Sequence, residues 1–205
     1  MAGVPELRGL LARAYARDPL MRWIFPDDAT RADATAAWLG LFVEAYVAAG
    51  DVDVLAGEPA LGGESSVVGS CPEAVAVWRM PGAALSWGAA PSVGGLLAAL
   101  VGVERAREIG AGLAQTRGLA PDEPHAYLHF LAVDPDLQGQ GRGRDALAPG
   151  LARAARAGIG VHLETTNPRA VAFYERLGFG VTAQITLGDD GPPLWAMWRS
   201  PDHRP

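Results

Sequence analysis

"YLHFLAVDPDLQGQGRGRDALAPGLARAARAG", Tyr127 to Gly158, is the stretch on which the reading of this chain turns. It opens on apolar and aromatic residues with one histidine among them, the pattern of a buried strand. A polar loop follows, in which Gly139, Gly141 and Gly143 alternate with Gln140 and Arg142. Apolar residues then recur at helical spacing, with Pro149 expected to kink the helix and Gly158 to cap it. Glycines let a main chain approach a ligand closely, and the unpaired N–H groups and dipole at a helix start favour negative charge. The stretch predicts a strand, an anion-binding loop and a helix, against the plain alternative of a solvent-exposed glycine turn.

Three anions compete for that loop. A nucleoside triphosphate loop needs a lysine to reach the phosphates, and the chain contains no lysine at all. A dinucleotide fingerprint has some support, since "GRGRDA" from Gly141 to Ala146 fits G-x-G-x-x-A and Glu164 ends the next strand as a ribose partner. That fingerprint puts its first glycine directly after the strand, whereas "DPDLQGQ" separates Val133 from Gly141. The loop also lies two-thirds of the way along the chain, too late for two nucleotide-binding halves to follow it. The third reading takes V-x-P-x-x-Q-G-Q-G-x-G as one unit.

Outward from the loop, strands and helices interleave. "PELRGLLARAYARDP" carries a helical apolar stripe that stops at Asp18-Pro19, and a second helix is predicted from Thr30 to Ala49 with Gly50 ending it. "VDVLAG" and "AVAVWRM" read as strands on either side of the loop "EPALGGESSVVGSCPE". One or two helices are expected between Val93 and Arg117. "VHLETT" is a strand and "NPRAVAFYERLG" a helix with Pro168 at its start. "GVTAQITLG" and "LWAMWRS" form a closing pair of strands across a Gly-Pro turn. The class is α/β or α+β around a mixed sheet.

Composition narrows the function. With 205 residues, 49% of them hydrophobic, one well-buried soluble domain is expected. The net charge is −6, and no basic stripe with interleaved aromatics appears, which counts against a nucleic-acid partner. No segment approaches the ~20 apolar residues of a membrane span, so a cytoplasmic location and no membrane partner are expected. Cys71 is the only cysteine, which leaves no intramolecular disulfide and predicts a buried or idle thiol. His/Asp/Glu spacing offers no metal site, and no G-x-S-x-G elbow occurs.

Val133, Pro135, Gln138, Gly139, Gly141 and Gly143, with "NPRAVAFYERLGF" downstream, resemble the GNAT superfamily of acyl-CoA-dependent N-acyltransferases. "AVAVWRMPGA", "EPHAYLHFLAVDPDLQGQGRG" and "LETTNPRAVAFYERLGFGVTAQI" resemble in particular the puromycin N-acetyltransferase branch, most strongly over residues 124–185 and 74–82. The resemblance implies a GNAT fold over residues 1–205: a mixed, mostly antiparallel sheet flanked by helices, with a helical insertion (83–124) between the third and fourth family strands that covers the acceptor pocket. The family opens on a strand that is apparently missing here, which puts the sheet edge in question.

The resemblance also assigns roles. Gln138, Gly139, Gln140, Gly141, Arg142, Gly143 and Arg144 would cradle the coenzyme A pyrophosphate, with Arg142 and Arg144 either pairing with phosphates or standing as solvated helix-start charges. The main chain of Leu131, Ala132 and Val133 would pair with pantetheine and polarise the thioester carbonyl. Asn167 would bind the pantetheine arm, and Tyr174, seven residues on, would give its proton to the leaving sulfur. Acetyl-CoA is the implied donor, a small-molecule amine the acceptor, and no metal takes part; a monomer or homodimer is expected.

The base is open between two residues. Strict alternation would put His129, Leu131 and Val133 on one face and Phe130 and Ala132 on the other. His129 stands where the arylalkylamine branch has a histidine that helps deprotonate its amine, and an imidazole suits neutral pH. Glu164 is the second choice, and a plain structural role is the alternative for each. His162 is expected toward solvent or a helix, with His125 and His203 in loop or tail. Trp23, Phe25, Trp38, Trp78 and Trp87 would either line an aromatic acceptor site or serve as core. Two other function classes stay in view: a non-catalytic acyl-CoA-binding domain, and an acyltransferase that draws on a carrier protein or aminoacyl-tRNA.

Overall fold

A computed structural model describes residues 3–57, 71–85 and 92–201. Helix α1, Val4–Tyr15, buries Leu7, Leu10 and Leu11, the stripe its sequence spacing requires. A short α2, Pro19–Ile24, begins where the first helix was expected to stop, because Asp18 accepts a hydrogen bond from the Leu20 amide and Pro19 suits a first helical position. Helix α3, Arg31–Ala49, ends on Gly50, whose φ of 77° is the left-handed cap that glycine permits.

Strands β1 (Val52–Ala56) and β2 (Pro72–Arg79) follow, then α4 (Val93–Val101) and α5 (Val103–Ala114) with a 3₁₀ turn at Gln115–Gly118. Next come β3 (His125–Val133), α6 (Arg142–Arg156), β4 (Gly160–Thr165), α7 (Pro168–Glu175), β5 (Gly180–Thr186) and β6 (Pro193–Arg199). Helix α6 runs through Pro149 without interruption. Much of the loop before Cys71, together with Trp87 and His203, lies outside the described residues.

The six strands form one sheet in the order β1-β2-β3-β4-β6-β5. Among the described residues only β3 and β4 run parallel; the other pairs are antiparallel. Alternation along β2 divides the core in two. Val75 and Val77 face α1, α3 and the inserted helices α4 and α5, whereas Ala74, Ala76 and Trp78 face α6. The described chain enters on α1, and β1 is an edge strand. Arg153 of α6 ties that strand to the helix, forking onto Asp53 with two bonds of 2.8 Å.

Two irregularities place the site. Strands β3 and β4 pair only from His125↔Gly160 to Leu128↔Leu163, after which β3 continues to Val133 with that flank open. On its other flank, Val77 lies opposite Phe130 and Trp78 opposite Leu128, so His129 is an extra residue, a β-bulge. The bulge overturns the expected alternation. His129 and Phe130 fall on the same side, stacked at 4.0 Å between ring centroids, and Leu131 and Val133 turn to the α6 side.

Candidate active site

A cavity of about 1340 Å³ occupies the cleft where β3 and β4 part. One end is lined by Gln138, Gly139, Gly141, Arg142, Gly143 and Arg144, the other by Trp38, Leu39 and Phe42 of α3, with Glu164 and Tyr174 on its walls. Val93, Leu113 and Thr116 of the inserted segment also line it.

The glycine loop fits a diphosphate. Gly139 and Gly141 have φ of 77° and 84°, and the space a Cβ would take at either is open. Gly141 is the N-cap of the 15-residue α6 and provides no side-chain cap, so the N–H groups of the first turn face outward without a cap from their own chain. Gly143 lies close to Phe173 and Val133, where a Cβ would stand 3.4 Å from each. Glu73 holds Arg142 at 3.1 Å. Gln138 and Gln140 brace the loop by donating to the carbonyls of Val133 (3.4 Å) and Asp136 (3.2 Å). Ala132 turns its methyl group into the helical core and lies opposite Val75.

Asn167 is the N-cap of α7: its Oδ1 accepts from the Arg169 amide at 3.0 Å, and the residue lines the cavity. One helical span later, Tyr174 lies 7% exposed at the cavity wall. Burial, and then the negative charge of Asp18, push its phenol well above the ordinary tyrosine range, so it keeps its proton. Asp18 is itself pushed up by burial, against hydrogen bonds from Leu20 and Thr166.

The two expected bases stand in unlike surroundings. His129 is enclosed by Phe42, Phe130, Tyr46 and Tyr127, and its Nδ1 is 2.9 Å from the Tyr46 hydroxyl. Burial, helped by the Arg79 charge, lowers the imidazole to about 3, so it is neutral at any physiological pH. With Tyr46 donating, the ring proton sits on Nε2. Burial lifts Tyr46 to about 12, which keeps that donor protonated. Glu164 instead receives a hydrogen bond of 3.0 Å from the Tyr127 hydroxyl, with His162 Nε2 at 3.4 Å from its other oxygen.

Several expectations change. His162 is 1% exposed and stacks on Tyr127 within the sheet, since it faces a neighbouring aromatic in β3 rather than solvent. His125 is the first residue of β3, not a loop residue, because its main chain pairs opposite Gly160. Cys71 is exposed, which excludes the buried alternative of a buried or idle thiol. Of the aromatics proposed for an acceptor wall, Trp38 lines the cavity; Trp78 is sealed under α6, and Trp23 donates to Asp190 at 2.9 Å.

Tyr15 belongs to the apolar stripe of α1 in the sequence and has a second role in the fold. Its hydroxyl donates to the Leu131 carbonyl at 3.2 Å and accepts from the Leu131 amide at 3.3 Å, on the open flank of β3. Nothing in the helical stripe of α1 marks a residue that bonds to the chain 116 positions later. Tyr127, which orients Glu164, was likewise read only as a strand aromatic.

A mostly antiparallel sheet opened at one parallel pair, with a glycine cradle on the following helix, is the GNAT fold. Residues 86–179, rather less than half of the chain, match the model of the acetyltransferase (GNAT) family. The chain is similar across nearly its whole length to a solved structure from Corynebacterium glutamicum titled histone acetyltransferase HPA2 and related acetyltransferase. That match has 28% identity and a TM-score of 0.62, covering 98% of this chain and 92% of the other. Arylalkylamine N-acetyltransferase 2 from Aedes aegypti shares the fold at a TM-score of 0.63 and 11% identity, over 97% and 94% of the two chains. Among curated proteins, the peptidyl-lysine N-acetyltransferase YjaB of Salmonella typhimurium is 34% identical over 67 residues, 33% of this chain and 45% of that one. The chain spans about half or less of the curated relatives it matches. Over residues 86–179 it is similar to the GNAT acetyltransferases.

Proposed function

We propose that the protein transfers an acetyl group from acetyl-CoA to the amine of a small molecule, by direct attack with both substrates bound. The observation that carries this reading is a single cavity that joins the glycine cradle, the open flank of β3 and the protonated phenol of Tyr174. Acetyl-CoA supplies an activated acyl group. The Gly139 to Arg144 loop and the start of α6 would hold its pyrophosphate, Asn167 and the free flank of Leu131 to Val133 its pantetheine arm.

Transfer forms a bond from the amine nitrogen to the acetyl carbon and breaks the carbon–sulfur bond. The nitrogen's proton goes to a base, and the sulfur takes one from Tyr174. Glu164 is the base we favour, since its carboxylate faces the cavity while charging His129 is opposed by burial and by Arg79. A covalent acyl-enzyme has no support in the geometry, because Cys71 is exposed and outside the residues that line the cavity. The likeness to the puromycin branch supports a small-molecule acceptor and puts that antibiotic on the test panel.

The test is thiol release from acetyl-CoA across an amine library that includes puromycin, an arylalkylamine and a lysine peptide. Turnover is expected on at least one small amine. Tyr174→Phe should lower kcat on the order of 10²-fold, with CoA affinity by calorimetry nearly unchanged. CoA binding with silence from every amine would replace the enzyme by an acyl-CoA-binding domain.

A further inference from the structure

The open flank of β3 is not bare. Past Leu128 the strand has no partner in β4, so the amide and carbonyl of Leu131 need hydrogen bonds from elsewhere. One hydroxyl from α1 provides both, because a phenol has a hydrogen to give and lone pairs to accept. Burial lifts the Tyr15 phenol far above its ordinary range, which keeps that hydrogen in place. The ring is held edge-on against Phe130, 6.4 Å between centroids.

We propose that Tyr15 sets donor affinity by holding the donor's place. A thioester followed by an amide arm offers a carbonyl to accept and an N–H to donate, the same pair of functions that the Tyr15 hydroxyl now provides to Leu131. The donor docks on Leu131 only by displacing Tyr15, so each bond it gains there replaces one already made. This rests on the acetyl-CoA reading above. Of the neighbouring side chains, Gln138 reaches only the Val133 carbonyl at the strand's end, Tyr127 bonds to a carboxylate and Tyr46 to a side chain, so the Leu131 pair is met by Tyr15. Tyr15 also joins the two ends of the cavity, since Phe130 stacks on His129 and packs against Phe42.

Tyr15→Phe keeps the ring and deletes the hydroxyl, leaving the Leu131 pair unsatisfied until the donor arrives. Titration of the full-length protein with acetyl-CoA, no amine present, should give a dissociation constant about three- to tenfold lower than wild type, the scale of an ordinary hydrogen bond. The Leu131 amide should exchange with solvent faster in donor-free Tyr15→Phe than in donor-free wild type, and acetyl-CoA should restore protection in both. An unchanged or weaker constant overturns the proposal, as does equal exchange at Leu131. Failure of wild type and variant alike to bind acetyl-CoA overturns the donor reading and this inference with it.

Discussion

His129 shows how one inserted residue redirects chemistry. In an unbroken strand its imidazole would share a face with Leu131 and Val133 at the donor's flank; the bulge swings it onto Phe130 and under Tyr46. A group placed there for packing pays in protonation. The folded imidazole titrates at about 3, against about 6.5 for an unperturbed histidine. Between those values the unfolded chain takes up a proton that the folded one refuses, so stability falls as pH drops from 6.5 toward 3. His129→Gln should flatten that slope by up to one proton, read as unfolding free energy against pH by denaturant titration. A slope equal to wild type would mean that the folded imidazole titrates normally. Glu164 shows the complementary case: a hydroxyl from the next strand orients a carboxylate that sequence alone offers only as the last residue of "HLE".

At the scale of elements, α6 has two duties. Its start is the proposed anion cradle, and its middle seals the sheet. Gly150 sits on the ring of Trp78, the largest fully buried side chain of β2, and a Cβ there would overlap the indole. Replacement by alanine gains about 1 kcal/mol of helix propensity but forces the overlap, for which overpacking costs about 1–3 kcal/mol. The clash is with the ring atoms of a fully buried indole rather than the far end of a flexible side chain, so it wins. Gly150→Ala is expected to lower Tm by several degrees, by calorimetry, and to weaken CoA through the shifted helix start. A Tm equal to or above wild type would show that the helix can move off the sheet at little cost. The elements themselves were legible: α3 with its glycine cap, α7 with Asn167 and Pro168, and the β5–β6 pair all fall where periodicity and capping residues put them. The break at Asp18-Pro19 was read as a stop, and it is also the start of α2.

Across the whole molecule, charge is unevenly shared. The chain carries −6 overall, yet Arg142, Arg144 and Arg169 line the donor end of the cavity, and Asp18 and Glu164 stand on its walls. Under the proposed function, an anionic donor would be attracted to one end and a cationic amine to the acids. Arg144→Gln should weaken CoA binding about three- to tenfold at low ionic strength, and the deficit should shrink as salt screens the contact. A deficit independent of salt would mark Arg144 as a structural residue of the helix start.

The signals for the proposed donor side are local: three glycines at alternate positions, a helix start directly after them, and an asparagine seven residues ahead of a tyrosine. Each rests on main-chain conformation within a few residues, which amino-acid type restricts directly. The rest of the cavity, where we propose the acceptor binds, has no such local signals: α3, the inserted helices and the far ends of two strands line it, and their side chains meet only in the folded chain. Sequence by itself determined the class of fold and singled out the glycine loop and Tyr174 as candidates. Tertiary structure decided that His129 leaves the donor's face, that Tyr127 holds Glu164 and that Tyr15 occupies Leu131. Strand register and the approach of α1 to β3 depend on what packs across the sheet, and no local pattern carries that information.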